Sequence, residues 1–146
     1  MKSKAPLVMM EQTVMLLVFA LAAALCLQAF VKSDQLSRRM EARDRAVFLC
    51  QTAAETVRHC KGDMAQAAAL LEAPYPYNGA GSPLEIHYNE DWTLSGTREY
   101  AYCLKALPVD SGVMGLGKAA VSVVDTRSGE PLFEIEAAWQ EVTAHG

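Results

Sequence analysis

The sequence predicts an α+β fold: a long N-terminal helix, membrane-spanning first and amphipathic after, packed on an antiparallel sheet of about four strands. Three observations predict it. Residues 7–31 (LVMMEQTVMLLVFALAAALCLQAFV) form a 25-residue apolar run with one formal charge, Glu11. Helical spacing of apolar residues continues to residue 59, with no Gly or Pro between Leu7 and Lys61. Beyond the turn-rich stretch 73–83 the period falls to two, the pattern of half-buried strands.

The elements follow in order. Residues 1–6 (MKSKAP) are a short basic leader. Residues 7–31 are long enough to cross a hydrocarbon core of about 30 Å at about 1.5 Å per residue. Residues 32–60 continue the helix as an amphipathic segment, with Leu36, Met40, Val47, Cys50, Ala54 and Val57 on one face and charges on the other. Lys61-Gly62 ends it near His59. Asp63 reads as the N-cap of a short helix over residues 64–72. The stretch APYPYNGAGSP (73–83) is a loop. Strands are expected at 84–88, 100–107, 119–125 and 132–139, with residues 108–117 as a loop. Short connections make the strands an antiparallel meander, and the amphipathic helix is the obvious cover for its apolar face.

Charge narrows the function. Residues 1–60 carry eight Lys/Arg and five Asp/Glu; residues 61–146 carry five and twelve. The C-terminal α+β part is acidic and has no basic stripe, which argues against nucleic-acid contact by this domain. Arg38, Arg39, Arg43 and Arg45 read as a solvated helix face near lipid headgroups, with anionic lipid as the functional alternative.

Few residues offer chemistry. The segment 112–118 has the spacing of a phosphate-binding loop, but Ala119 stands where Ser or Thr would hold the metal ion, and a strand pattern follows instead of a helix. No nucleophile–base motif occurs, so no catalytic residue is expected. There is no CxxC, and His59, His87 and His145 are scattered, so neither a metal nor another cofactor is expected. Glu85, Glu90, Asp91, Glu134 and Glu136 read as the solvated side of strands and a turn. Trp92, Trp139, Tyr100 and Tyr102 read as core or rim aromatics. Cys50 and Cys60 lie too far apart on one helix for a disulfide; Cys60 with Cys103 is the pairing left open, if the helix end packs on a strand.

Glu11 stands apart. An ionisable residue in a membrane span is costly, and a cationic partner for it has to be named. The N-terminus also fits a secretory signal peptide cut near Ala22-Ala23-Ala24, or an uncleaved signal anchor. A secreted or membrane-anchored small binding domain is then the alternative function.

Leu7-Val8-Met9-Met10-Glu11, behind a short basic leader and ahead of an apolar-then-amphipathic helix and a sheet, resembles a type IV pilin or type II secretion pseudopilin. The stretches AVFLCQTAAETVRHCKGDMAQAAALL, IHYNEDW and LFEIEAAW are also similar to small pilin-like proteins of Gram-positive bacteria. The resemblance implies a structural subunit, a minor pilin or pseudopilin, without enzymatic activity. It implies prepilin peptidase as a processing partner, with the cut between Pro6 and Leu7 making Glu11 the fifth mature residue. Glu11 would then pair with the amino terminus of a neighbouring subunit. The remaining implied partners are membrane lipid, other pilin-like subunits and an inner-membrane assembly platform. This chain carries Pro6 where the family carries Gly or Ala, which leaves the cut itself open. The implied placement is single-pass in the cell membrane, N-terminus cytoplasmic and C-terminal domain extracytoplasmic. A bare count of flanking Lys and Arg, with Lys2 and Lys4 before the span and Lys32, Arg38, Arg39, Arg43 and Arg45 after it, favours the reverse.

Overall fold

The computed structural model describes residues 5–79, 81–97 and 99–141. The elements run α1 (Ala5–His59), α2 (Met64–Leu70), β1 (Leu84–Tyr88), β2 (Tyr102–Val109), β3 (Leu116–Asp125) and β4 (Pro131–Gln140). The chain divides into two compact units, Met1–Glu41 and Ala42–Gly146.

Within the first unit every described residue is exposed, all of them in α1. The helix is long and apolar enough to cross a membrane. Pro6 sits in its first turn, where a missing N–H costs nothing. Thr13 returns its hydroxyl to the Met9 carbonyl at 2.8 Å, so its polar group is satisfied along the helix.

In the second unit the remainder of α1 buries Ala46, Cys50, Ala53, Ala54 and Val57. The three-and-four spacing puts these on one stripe, which faces the core. Cys50 Sγ lies 3.8 Å from the Phe133 carbonyl oxygen. The helix ends by backbone geometry. Lys61 takes φ 51° and Gly62 φ 84°. Gly62 N donates to Val57 O and Lys61 N to Arg58 O, both at 3.0 Å, which satisfies two orphan carbonyls in a Schellman arrangement. The Asp63 carboxylate then accepts from Ala65 N at 3.0 Å and Gln66 N at 3.1 Å, starting α2. Met64, Ala67 and Ala68 of α2 join the core.

The four strands form one antiparallel sheet in the order β1-β2-β3-β4. Register places Ile86 opposite Leu104, Leu104 opposite Val123, and Val123 opposite Phe133. Leu84, Ile86, Tyr88, Tyr102, Leu104, Ala106, Ala119, Val121, Val123, Ala137 and Trp139 thereby share the α1 side and close one core. Trp92 stacks on Tyr102 at 3.9 Å and caps one end of it. At the other end the Trp139 indole lies beside Gly62 and Gly117, each of whose Cβ positions the ring occupies.

Strand limits differ from the sequence pattern in one instructive place. β2 runs through Pro108 to Val109, a stretch expected to be loop. β1 ends at Leu84 opposite Ala106, so Pro108 has no strand on that side and its missing N–H is not required. β3 correspondingly begins at Leu116.

Candidate functional site

Two features merit attention, one in each unit. In the first, Glu11 projects from an otherwise apolar helix surface among Leu7, Val8, Met10, Val14 and Met15. Among the described residues it makes no ion pair. Further along α1, Arg38 pairs with Asp34 at 3.0 Å, both well exposed, so part of the basic face is locally neutralised.

In the second unit the notable group lies on the sheet face that α1 does not cover. Strand alternation puts Glu85 and His87 of β1 on this face, and β1–β2 register sets them opposite Lys105 and Cys103. The four side chains form one cluster. Lys105 Nζ bonds Glu85 Oε1 at 3.0 Å. The other carboxylate oxygen, Oε2, lies 3.8 Å from His87 Nε2. Donor atoms of Glu85, His87 and Cys103 all fall within 4.8 Å of one another. The hydrogen bond from Lys105 to Glu85 holds the ammonium pKa above the usual lysine value. Burial pushes the Cys103 thiol up to about 11, with the Glu85 charge adding to it.

Aromatic rings enclose the imidazole. Tyr100 stacks flat on His87 at 3.8 Å, and Tyr75 meets it edge-on at 5.5 Å. Tyr75 is itself held by its hydroxyl, which donates to Gly96 O at 2.8 Å. Both imidazole nitrogens are buried and lack a hydrogen-bond partner among the described residues. Outside them opens a cleft of about 530 Å³ lined by Tyr75, Tyr77, Tyr100, Glu85, His87 and Pro83. Residues 75–78 and Pro83 supply one wall, the strand the other.

The structure separates the cysteines that the sequence left open for pairing. Cys50, Cys60 and Cys103 are all free and buried. Cys60 belongs to the core on the α1 side with Leu104 and Ala106. Cys103, one residue from Leu104, points to the opposite face with His87. The structure thus leaves Cys60 and Cys103 unpaired, with Cys103 on the sheet face turned away from the α1 core. Of the aromatics read as core or rim, Tyr100 lies on the outer face, where its ring covers His87. The glycine-rich segment before β3 is a turn tied by its own side chains, Gly112 N to Asp110 Oδ1 at 3.0 Å and Val113 N to Ser111 Oγ at 3.2 Å, and leads into a strand. Pro6 and Leu7 lie in the first turn of α1, with Glu11 one turn further on.

The Glu85–His87–Cys103 grouping was missed by motif spacing. Its only sequence trace is Glu-x-His in a period-two segment, which places both on one strand face; Cys103 joins through register, sixteen residues away. No protein-family model, no curated protein and no solved structure matches the chain.

Proposed function

We propose that the chain is a structural subunit, a minor pilin or pseudopilin, of a type IV pilus or type II secretion-like assembly. In this reading α1 anchors it in the cell membrane with the sheet unit outside. The carrying observation is Glu11: one carboxylate in an exposed apolar helix surface that is continuous with a helix-on-sheet domain. A carboxylate at that depth demands a cation, and unpaired burial costs several kcal/mol. The amino terminus of a second subunit, exposed by cleavage before Leu7, supplies it. Because the pair forms only when subunits stack in register, it favours ordered over random association. Lipid, sibling subunits and a membrane assembly platform are the partners this reading requires, and no catalytic step belongs to it.

The test is Glu11→Ala in the native host. The variant should reach the membrane at normal level and lose cross-linking to partner subunits. Unchanged incorporation would refute the role of Glu11. A second reading, an anchored binding module, is favoured by the aromatic cleft over His87. It predicts that residues 7–31 can be exchanged for an unrelated anchor without loss of function, an exchange the assembly reading does not tolerate.

A further inference from the structure

We infer that Glu85, His87 and Cys103 form a binding site for a zinc-class divalent metal ion on the outer face of the sheet, open to the aromatic cleft. The donor set is the first reason. A carboxylate oxygen, an imidazole nitrogen and a thiolate sulfur are the three ligand types that zinc combines, and the mixture of sulfur and nitrogen disfavours calcium or magnesium. Geometry is the second. Tetrahedral zinc with bonds of about 2.0–2.3 Å sets its donors roughly 3.3–3.8 Å apart. The Glu85 Oε2–His87 Nε2 pair already stands at 3.8 Å, and all three donors lie within 4.8 Å. Closure therefore takes side-chain adjustment of about 1 Å, with no strand movement.

The third reason is independent of the donor list. His87 keeps only 13% of its side-chain exposure, and neither nitrogen has a partner among the described residues. A buried imidazole left without hydrogen bonds is destabilising, and a metal bond at Nε2 would give one of its two nitrogens a partner. Tyr100 and Tyr75 fix the plane of that ring. Lys105 fixes the carboxylate through Oε1 and leaves Oε2 turned toward His87, so Glu85 would ligate through one oxygen. Binding releases the Cys103 thiol proton to solvent and leaves the imidazole neutral. The cleft is lined by Glu85 and His87 but not by Cys103, so the fourth coordination position faces the cleft and takes water or a donor atom of a ligand seated there. The inference is independent of what α1 does.

Cobalt(II) titration of the metal-stripped full chain in detergent micelles tests it. The expected result is one Co²⁺ per chain with a thiolate-to-cobalt charge-transfer band that Zn²⁺ abolishes. Cys103→Ser should remove the band, while Cys26→Ser, Cys50→Ser and Cys60→Ser keep it. Glu85→Gln alters a partly exposed side chain and should keep the near-ultraviolet circular dichroism of the wild type. It should weaken Co²⁺ binding by at least about 10-fold, the least that even outer partners of a metal site cost. Absence of the band in the wild-type chain, its survival in Cys103→Ser, or undiminished affinity in folded Glu85→Gln would each overturn the site.

Discussion

Replacing Gly117 by alanine should destabilise the sheet unit by about 1–2 kcal/mol, and the reason is a single ring. Gly117 lies on β3 directly opposite Trp139 on β4. A Cβ there would fall 2.7 Å from Trp139 Cζ2, about 0.7 Å inside ordinary van der Waals contact, and closer still to Cε2 and Nε1. Gly62 packs on the same ring, where an added Cβ would meet Cε2 at 2.6 Å, so both close approaches require glycine. The indole is thus held against two glycines, 9% exposed. Overpacking of this kind costs about 1–3 kcal/mol. Stiffening the unfolded chain by Gly→Ala returns about 0.4–1 kcal/mol. Gly117 has no left-handed φ, so backbone strain does not confuse the comparison. For a unit of this size the melting temperature should fall by roughly 5–15 °C. The assay is a thermal melt of the full chain in detergent, followed by near-ultraviolet circular dichroism. Trp139→Leu completes a double-mutant cycle: with the ring gone, the added methyl should cost less than about 0.5 kcal/mol. A Gly117→Ala melt at or above wild type would refute this packing.

Further predictions rest on separate features. Asp63→Ala removes the acceptor of two backbone N–H groups and should cost about 1 kcal/mol, read by urea denaturation. Glu85→Gln should change stability by no more than about 1 kcal/mol despite its 3.0 Å contact with Lys105, because both side chains are more than a third exposed; a larger loss would mean the pair is structural. Burial raises the Cys50 thiol from 9.0 to about 11. A folded-state pKa above the unfolded one contributes stability below pH 9 that is lost as pH climbs through about 11, and Cys50→Ala should flatten that fall when melting temperature is followed against pH. Iodoacetamide at pH 8 should spare Cys50 and Cys103 until denaturant is added; rapid native labelling of either would contradict their burial.

Much of the fold was legible because it obeys two periods. The 3.6-residue stripe of Cys50, Ala54 and Val57 and the absence of Gly or Pro marked the helix, and Lys61-Gly62 marked its end. Leu84, Ile86 and Tyr88, and Phe133, Ile135, Ala137 and Trp139, marked strands. Two things escaped. Pro108 reads as a strand breaker unless the neighbouring strand is known to stop at Leu84. The Glu85–His87–Cys103 cluster depends on cross-strand register, which no local spacing encodes, and the same register decides that Cys103 faces away from Cys60.

The central claim is that Glu11 belongs to the working protein and meets the amino terminus of a neighbour. Intact-mass measurement of the chain extracted from its native membrane tests this most directly. The expected result is a chain that begins at Leu7, with Glu11 retained as its fifth residue. A chain beginning beyond Glu11, near Leu25, would contradict it: the apolar run would then be a discarded signal, and the aromatic cleft would be left as the functional part of the molecule.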